Sequence, residues 1–342
     1  MVTRSKKSYA MGMALEDNYN VFKAPTNYIR YVKSGMSVNT TDEELDICDG
    51  TPGSAYPYRK QAEVGGTMEI PAWPGGGLEQ LLTLIFGKVT TTQQATSTAY
   101  KHLFEQDFNT VKSASIVHWA PELTDKDVEA YTGGVLSSLE IGYDGPGPIT
   151  LKPTWDCGGY DASKTAPTRT YTPSPIFVWG NFQAKIDGVL NTKVTKATLK
   201  IERELDKQFG ATGDPVTALM PNIKTPTDWK VTGSLEFPYE TKDFIMEYLS
   251  GSTSGTTINT IIKDKTLQLT CIGETIESTY NYLMDFKMPR VNMSKCARDK
   301  DSDKTIMYDI DYAARKYEGT DQGLGTNCIL TGEVVSKLTA VT

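Results

Sequence analysis

"VGGTMEIPAWPGGGLEQLLTLIFG" (64–87) and "VTGSLEFPYETKDFIMEYLSG" (231–251) are two stretches of one chain that read almost alike. Val64 aligns with Val231, Gly66 with Gly233, Glu69 with Glu236 and Pro71 with Pro238. Between them Thr67, Met68 and Ile70 meet the chemically similar Ser234, Leu235 and Phe237. Each opens as a short strand and changes period after its proline. Leu78, Leu81, Leu82, Ile85 and Phe86 form one apolar stripe at helical spacing. Gly87 is placed to end that helix, because glycine accepts the left-handed cap conformation. In the second stretch Phe244, Ile245, Tyr248 and Leu249 make the stripe, Thr241 is the expected N-cap, and Gly251 the stop. Helices are therefore expected near 78–86 and 242–250.

The flanking sequence repeats the same order. "YIRYVKSGMSVN" ahead of the first stretch alternates and is rich in Tyr, Ile and Val, as strands are. A Thr/Ser-rich run follows each helix. Each unit then closes with a hairpin: "GVLSSLEIGY" and "ITLKPTW" around "DGPGP", and "FKMPRVNMSK" and "TIMYDIDYAAR" around "CARDKDSDK". The stretch "DCGGYDASKTAPTRTYTPSP" (156–175) is rich in Gly, Pro, Ser and Thr, and its part at 161–175 reads as a linker. The expected organisation is an N-terminal arm (1–25), a first unit (26–160), the linker, a second unit (176–316) and a C-terminal extension (317–342). The competing organisation is two ordinary strand–helix units within one α+β domain.

At 342 residues and 39% hydrophobic, the chain can fill one large core or two ordinary ones. The net charge of −7 argues against wrapping nucleic acid on a broad basic face. No apolar run is long enough to span a bilayer, and no apolar h-region follows the basic start, so no membrane association or secretory signal is expected. Five cysteines without a C-x-x-C pair signal neither a disulfide scaffold nor a zinc ribbon.

Little in the sequence asks for chemistry. His102 and His118 are the only histidines, and His118 beside Trp119 reads as a packed side chain. "PGGGLEQLL" opens a helix but lacks the Lys-Ser/Thr of a P-loop. "DKDSDK" (299–304) lacks the glycine and closing glutamate of a calcium loop, so a solvated turn is expected. Catalytic, cofactor and metal sites are expected to be absent.

The residues resemble the tail tube (major tail) proteins of long-tailed bacteriophages. The likeness rests on "GMALEDNYNVFKAPTNYIRYVKSGMSV", then "VGGTMEIPAWPGGGLEQLLTLIFG", then "GGVLSSLEIGYDGPGPITLKPTWDCGG". It covers most of 10–160 and extends over 175–316. The resemblance implies a mainly β fold, a β-sandwich or barrel with a flanking helix, here in two tandem copies. It implies rings stacked into a hollow tube in the virion tail, assembled in the host cytoplasm. Two fused copies imply a trimeric, pseudo-sixfold ring. The implied partners are further copies of the chain, tail terminator, tape measure and baseplate proteins, and double-stranded DNA in transit. The alternatives are a carbohydrate-active β-sandwich enzyme using strand-face carboxylates, or another phage structural protein such as a tail terminator or decoration protein.

Strand alternation gathers acids on two faces. "TLKIERELD" puts Lys200, Glu202, Glu204 and Asp206 on one side, with Leu199, Ile201 and Leu205 opposite. "MYDIDY" puts Asp309 and Asp311 on one side, with Tyr308, Ile310 and Tyr312 opposite. The expectation is that at least one of these acidic sets lines the channel, where fixed negative charge keeps DNA from adhering. An outer wall is the other place a polar strand face can lie.

Overall fold

A computed structural model describes residues 9–341 except 47–54, 76, 122–126, 169–170, 172, 211–218, 222, 261, 300–304 and 318–327. Most of the "DKDSDK" turn and Cys48 thus lie outside the described residues.

The first half begins with β1 (Ala10–Leu15), β2 (Asn27–Ile29), β3 (Lys33–Ser34) and β4 (Ser37–Asp46). Then come β5 (Ala55–Pro71), α1 (Leu78–Phe86), β6 (Gly87–Gln93) and β7 (Tyr100–Gln106). It ends with β8 (Ala114–Trp119), β9 (Glu129–Asp144), β10 (Thr150–Cys157) and β11 (Gly159–Asp161). The second half has β12 (Phe182–Ile186), β13 (Val189–Asn191), β14 (Lys196–Gln208), β15 (Ile223–Pro238) and α2 (Asp243–Ser250). It closes with β16 (Lys265–Glu277), β17 (Tyr280–Asp299), β18 (Met307–Ala314) and β19 (Thr331–Ser336). The protein is mainly β, with a helix flanking the strands in each half.

Two runs of hydrogen-bonded strands follow one plan. In the first, neighbours run β2–β1–β8–β9–β10–β5–β4. In the second they run β13–β12–β16–β17–β18–β15–β14. The agreement extends to register. Pro71 faces Thr150, which faces Gly142. Pro238 faces Met307, which faces Asp299. Three irregularities fall at matching places. Ser137 is the extra residue between β9 and β10, as Ser294 is between β17 and β18. The register of β8 against β9 shifts at Ser115, as that of β16 against β17 shifts at Thr266. Lys60 is the extra residue between β4 and β5, as Thr227 is between β14 and β15. A bulge bends its strand and is a specified feature rather than noise.

The shared glycine of the opening motif has a steric reason. A Cβ on Gly66 would lie 2.1 Å from the Gly35 carbonyl oxygen, and one on Gly233 would lie 2.1 Å from that of Thr198. Gly35, between β3 and β4, and Thr198, on β14, hold matching places beside β5 and β15, so the same close approach occurs twice. Both helices end on a glycine with positive φ, 89° at Gly87 and 75° at Gly251. The N-cap of α2 is Lys242 rather than Thr241, whose hydroxyl instead donates to Asp243 at 2.8 Å.

The stretch expected as an N-terminal arm contains β1, which is buried and paired with both β2 and β8. Met11 and Met13 point into the main core. Glu16 anchors the chain that follows: its carboxylate accepts from the Ser113 and Ser115 hydroxyls and from the Asn20 and Gly133 amides at 2.7–2.9 Å. Within 317–342, β19 pairs with β7 of the first half and β17 of the second. One continuous apolar cluster runs through both halves, from Met11 to Val334.

Candidate functional site

The halves meet along a strand seam. β14 runs antiparallel to the C-terminal part of β9, from Lys196 opposite Asp144 to Glu202 opposite Ser138. On the core side Ile201 faces Leu139 and Leu199 faces Ile141, and all four are fully buried. Beyond the seam, the β14–β15 hairpin lies over α1. The Trp229 ring meets Phe86 edge-on, with centroids 5.7 Å apart. Arg203 Nη2 donates to the Ile85 carbonyl at 2.8 Å, where the last turn of a helix has carbonyls without intrahelical partners. Arg203 is 2% exposed, and burial lowers its pKa to about 10. On the far side of the hairpin Lys224 Nζ donates to Asp156 Oδ1 at 2.9 Å and to the Asp156 carbonyl at 2.8 Å. All nine residues of α1 are buried, whereas only Glu247 and Ser250 are buried in α2.

The opposite face of this sheet is polar. Glu140 on β9, Lys196, Lys200 and Glu202 on β14, Glu236 on β15, and Asp309 and Asp311 on β18 alternate with the core-facing positions, so they share one surface. Alternation carries Glu204 and Asp206 onto the same side of the β14–β15 hairpin, where Glu204 is exposed and Asp206 too. The two predicted acidic sets thus stand on one face, with β15 between their strands, about 10 Å apart by strand spacing.

Of the lysines interleaved among those acids, the sequence placed Lys200 on the face but not Lys152, Lys196 or Lys295. Lys200 pairs with Glu202 at 2.6 Å, Lys152 with Glu140 at 2.9 Å and Lys196 with Asp144 at 3.2 Å. Lys295 on β17 lies 2.5 Å from Asp309 and 4.0 Å from Asp311. The face is a mixed lattice of both signs rather than an acidic wall. Exposed pairs of this kind stabilise by about 0–1 kcal/mol each, so their main effect is on surface potential.

Both histidines are packed. His118 stacks on Tyr31 with centroids 5.8 Å apart, and His102 Nδ1 is 2.9 Å from the Thr91 hydroxyl. Burial lowers both imidazoles to a pKa of about 4. The amide of Gly75 donates to both carboxylate oxygens of Glu79 at 2.8 Å, so the glycine-rich entry to α1 is closed by the helix's own side chain. Among the described residues no cluster of His, Cys, Asp and Glu has metal-binding geometry. Among them, too, no helix is long and apolar enough to cross a membrane.

Among the described residues several strands pair on one side only, β2, β6 and β13 among them, and two such edges lie where the β9–β14 seam has its counterparts. β3 and β4 pair on one side only, with β5. The segment of β17 from Asn292 onward pairs only with β18. Neither edge was singled out by sequence, because an unpaired edge has the same alternation as a paired one.

A family model described as phage tail tube protein matches residues 9–314. No curated protein matches the chain.

Proposed function

The chain belongs to the phage tail tube protein family, and we propose that it carries two tandem copies of the tube unit and closes into a ring of three subunits. It is a structural protein of the phage tail, and self-assembly into the tube follows from the family. In the proposed ring six equivalent units surround the axis, rings stack along it, and the polar face of β9, β14, β15 and β18 turns toward the channel. The tail terminator, tape measure and baseplate proteins are then its partners at the tube's ends and interior, and double-stranded DNA passes without specific binding. Assembly from subunits made in the host cytoplasm completes the reading.

The observation that carries it is the matched strand order, with three irregularities at corresponding positions in both halves. Ordinary strand–helix units share an alternation, but have no physical reason to share register shifts. The β9–β14 seam also supplies, within one chain, a unit-to-unit contact that a ring would repeat. Such a head-to-tail contact closes when its rotation divides the circle.

Native mass spectrometry and negative-stain microscopy of the purified protein test the reading. Rings of three chains with six density lobes, stacking into tubes, are expected. A monomer, or a ring of six chains, would overturn it.

A further inference from the structure

We propose that the β3–β4 edge of one copy pairs antiparallel with the open edge of β17 on a second copy, with Ser37 opposite Ala297, Val38 opposite Cys296 and Asn39 opposite Lys295. This rests on the ring reading and supplies the contact that such a ring needs.

The register follows from the seam already present inside the chain. β14 matches β3–β4 through their shared partners: Lys200 faces Thr232 on β15, and Ser37 faces Gly65 on β5. β9 matches β17 in the same way, because Leu139 faces Pro153 on β10 and Cys296 faces Ile310 on β18. Within the chain Lys200 faces Glu140, Ile201 faces Leu139 and Glu202 faces Ser138. Transferring each residue to its counterpart gives the three pairs above.

Burial agrees with the pairing of these two edges. Ile201 and Leu139 are fully buried by their mutual contact, while Val38 is 39% exposed and Cys296 only partly covered. The hairpin formed by β4 and β5 lies over no helix, and it exposes Leu45, Tyr56 and Tyr58 as well. The helix without a hairpin over it is α2, whose Tyr248 is 36% exposed. One half has an uncovered hairpin and the other an uncovered helix. No single chain can satisfy both, but a second copy can.

Charge agrees with the pairing. From Thr40 to Asp46, β4 carries Asp42, Glu43, Glu44 and Asp46 and no base. From Phe286 to Arg298, β17 carries Lys287, Arg290, Lys295 and Arg298, with Asp285 and Asp299 only at the two ends of that run. Opposite charges steer encounter and disfavour pairing of either edge with itself. An open strand edge is otherwise a site of indiscriminate association.

The test is directed cross-linking in a Cys48→Ser background. Val38→Cys should link to the native Cys296 of a neighbouring copy under mild oxidation, giving covalent multimers on a non-reducing denaturing gel. Cys296→Ser should abolish the link. Ser37→Cys with Cys296 retained should not link, because adjacent strand residues point to opposite faces. Ser37→Cys combined with Ala297→Cys and Cys296→Ser should link again. Microscopy of each variant before oxidation checks that it assembles. Rings that form normally but fail to link at Val38→Cys, or that link equally at Ser37→Cys with Cys296, would overturn the register and leave the ring reading standing. If the unaltered chain forms no ring, that reading fails and this contact fails with it.

Discussion

His102 and His118 are titrating groups held neutral by burial, with folded pKa values of about 4 against 6.5 for free imidazole. Between those values the unfolded chain binds more protons than the folded one, so stability rises with pH. Their contribution is complete above about pH 6.5 and is lost as pH falls through about 4. For either imidazole alone the loss approaches ~3 kcal/mol. Glu79 opposes this trend: burial raises its pKa, so its contribution is present at low pH and lost as pH rises. Comparison with a His102→Gln, His118→Gln variant separates the two effects. Its melting temperature is expected to fall less steeply than the parent's from pH 6.5 to pH 4. Equal slopes would show that the imidazoles do not control acid stability. The packed state of His118 was legible from its apolar neighbours. Arg203 was not: the alternation that put Leu199, Ile201 and Leu205 on the core side also puts Arg203 there, and local sequence names no partner for a buried guanidinium. Its partner is a carbonyl at the end of α1, 118 positions away.

Helices were readable from their apolar stripes and closing glycines, and both stand within a residue of their expected bounds. Strands with clean alternation, such as β10 and β18, were equally plain. What the sequence could not disclose is pairing between distant elements, because alternation states which side is apolar and not which edge is met. Thus β1, expected as part of an arm, is a core strand, and removal of residues 1–25 would take Met11 and Met13 from the interior. The docking of the β14–β15 hairpin on α1 was invisible for the same reason. Trp229, 7% exposed against Phe86 and Phe108, is its main apolar contact. Trp229→Ala is expected to cost about 3–5 kcal/mol, as large-to-small changes in packed sites do. Thermal or denaturant unfolding measures it, and a loss below about 1 kcal/mol would mean that the hairpin is held by the seam alone.

At the scale of the molecule, the polar face was legible as two acidic strand segments with Lys200 among them, and Lys152 and Lys295 were not, since they come from other strands. Glu202, Asp309 and Asp311 each have a lysine nearby, so replacing acids exposes positive charge already in place. A variant with Glu202→Lys, Glu204→Lys, Asp309→Lys and Asp311→Lys is expected to form tubes yet eject DNA more slowly, with the defect eased by salt. Normal ejection kinetics at low salt would place this face elsewhere than on the channel wall. β19 has a different kind of consequence. Its Ser336 lies 3.5 Å from His102 across a sequence separation of 234 residues, and it completes sheet edges in both halves. A chain emerges from the ribosome in order, so β7 must wait exposed while almost the whole second half is translated. Closure by so distant a strand makes the last folding step slow, and it leaves a timed interval in which a chaperone can hold the unfinished subunit apart from its neighbours.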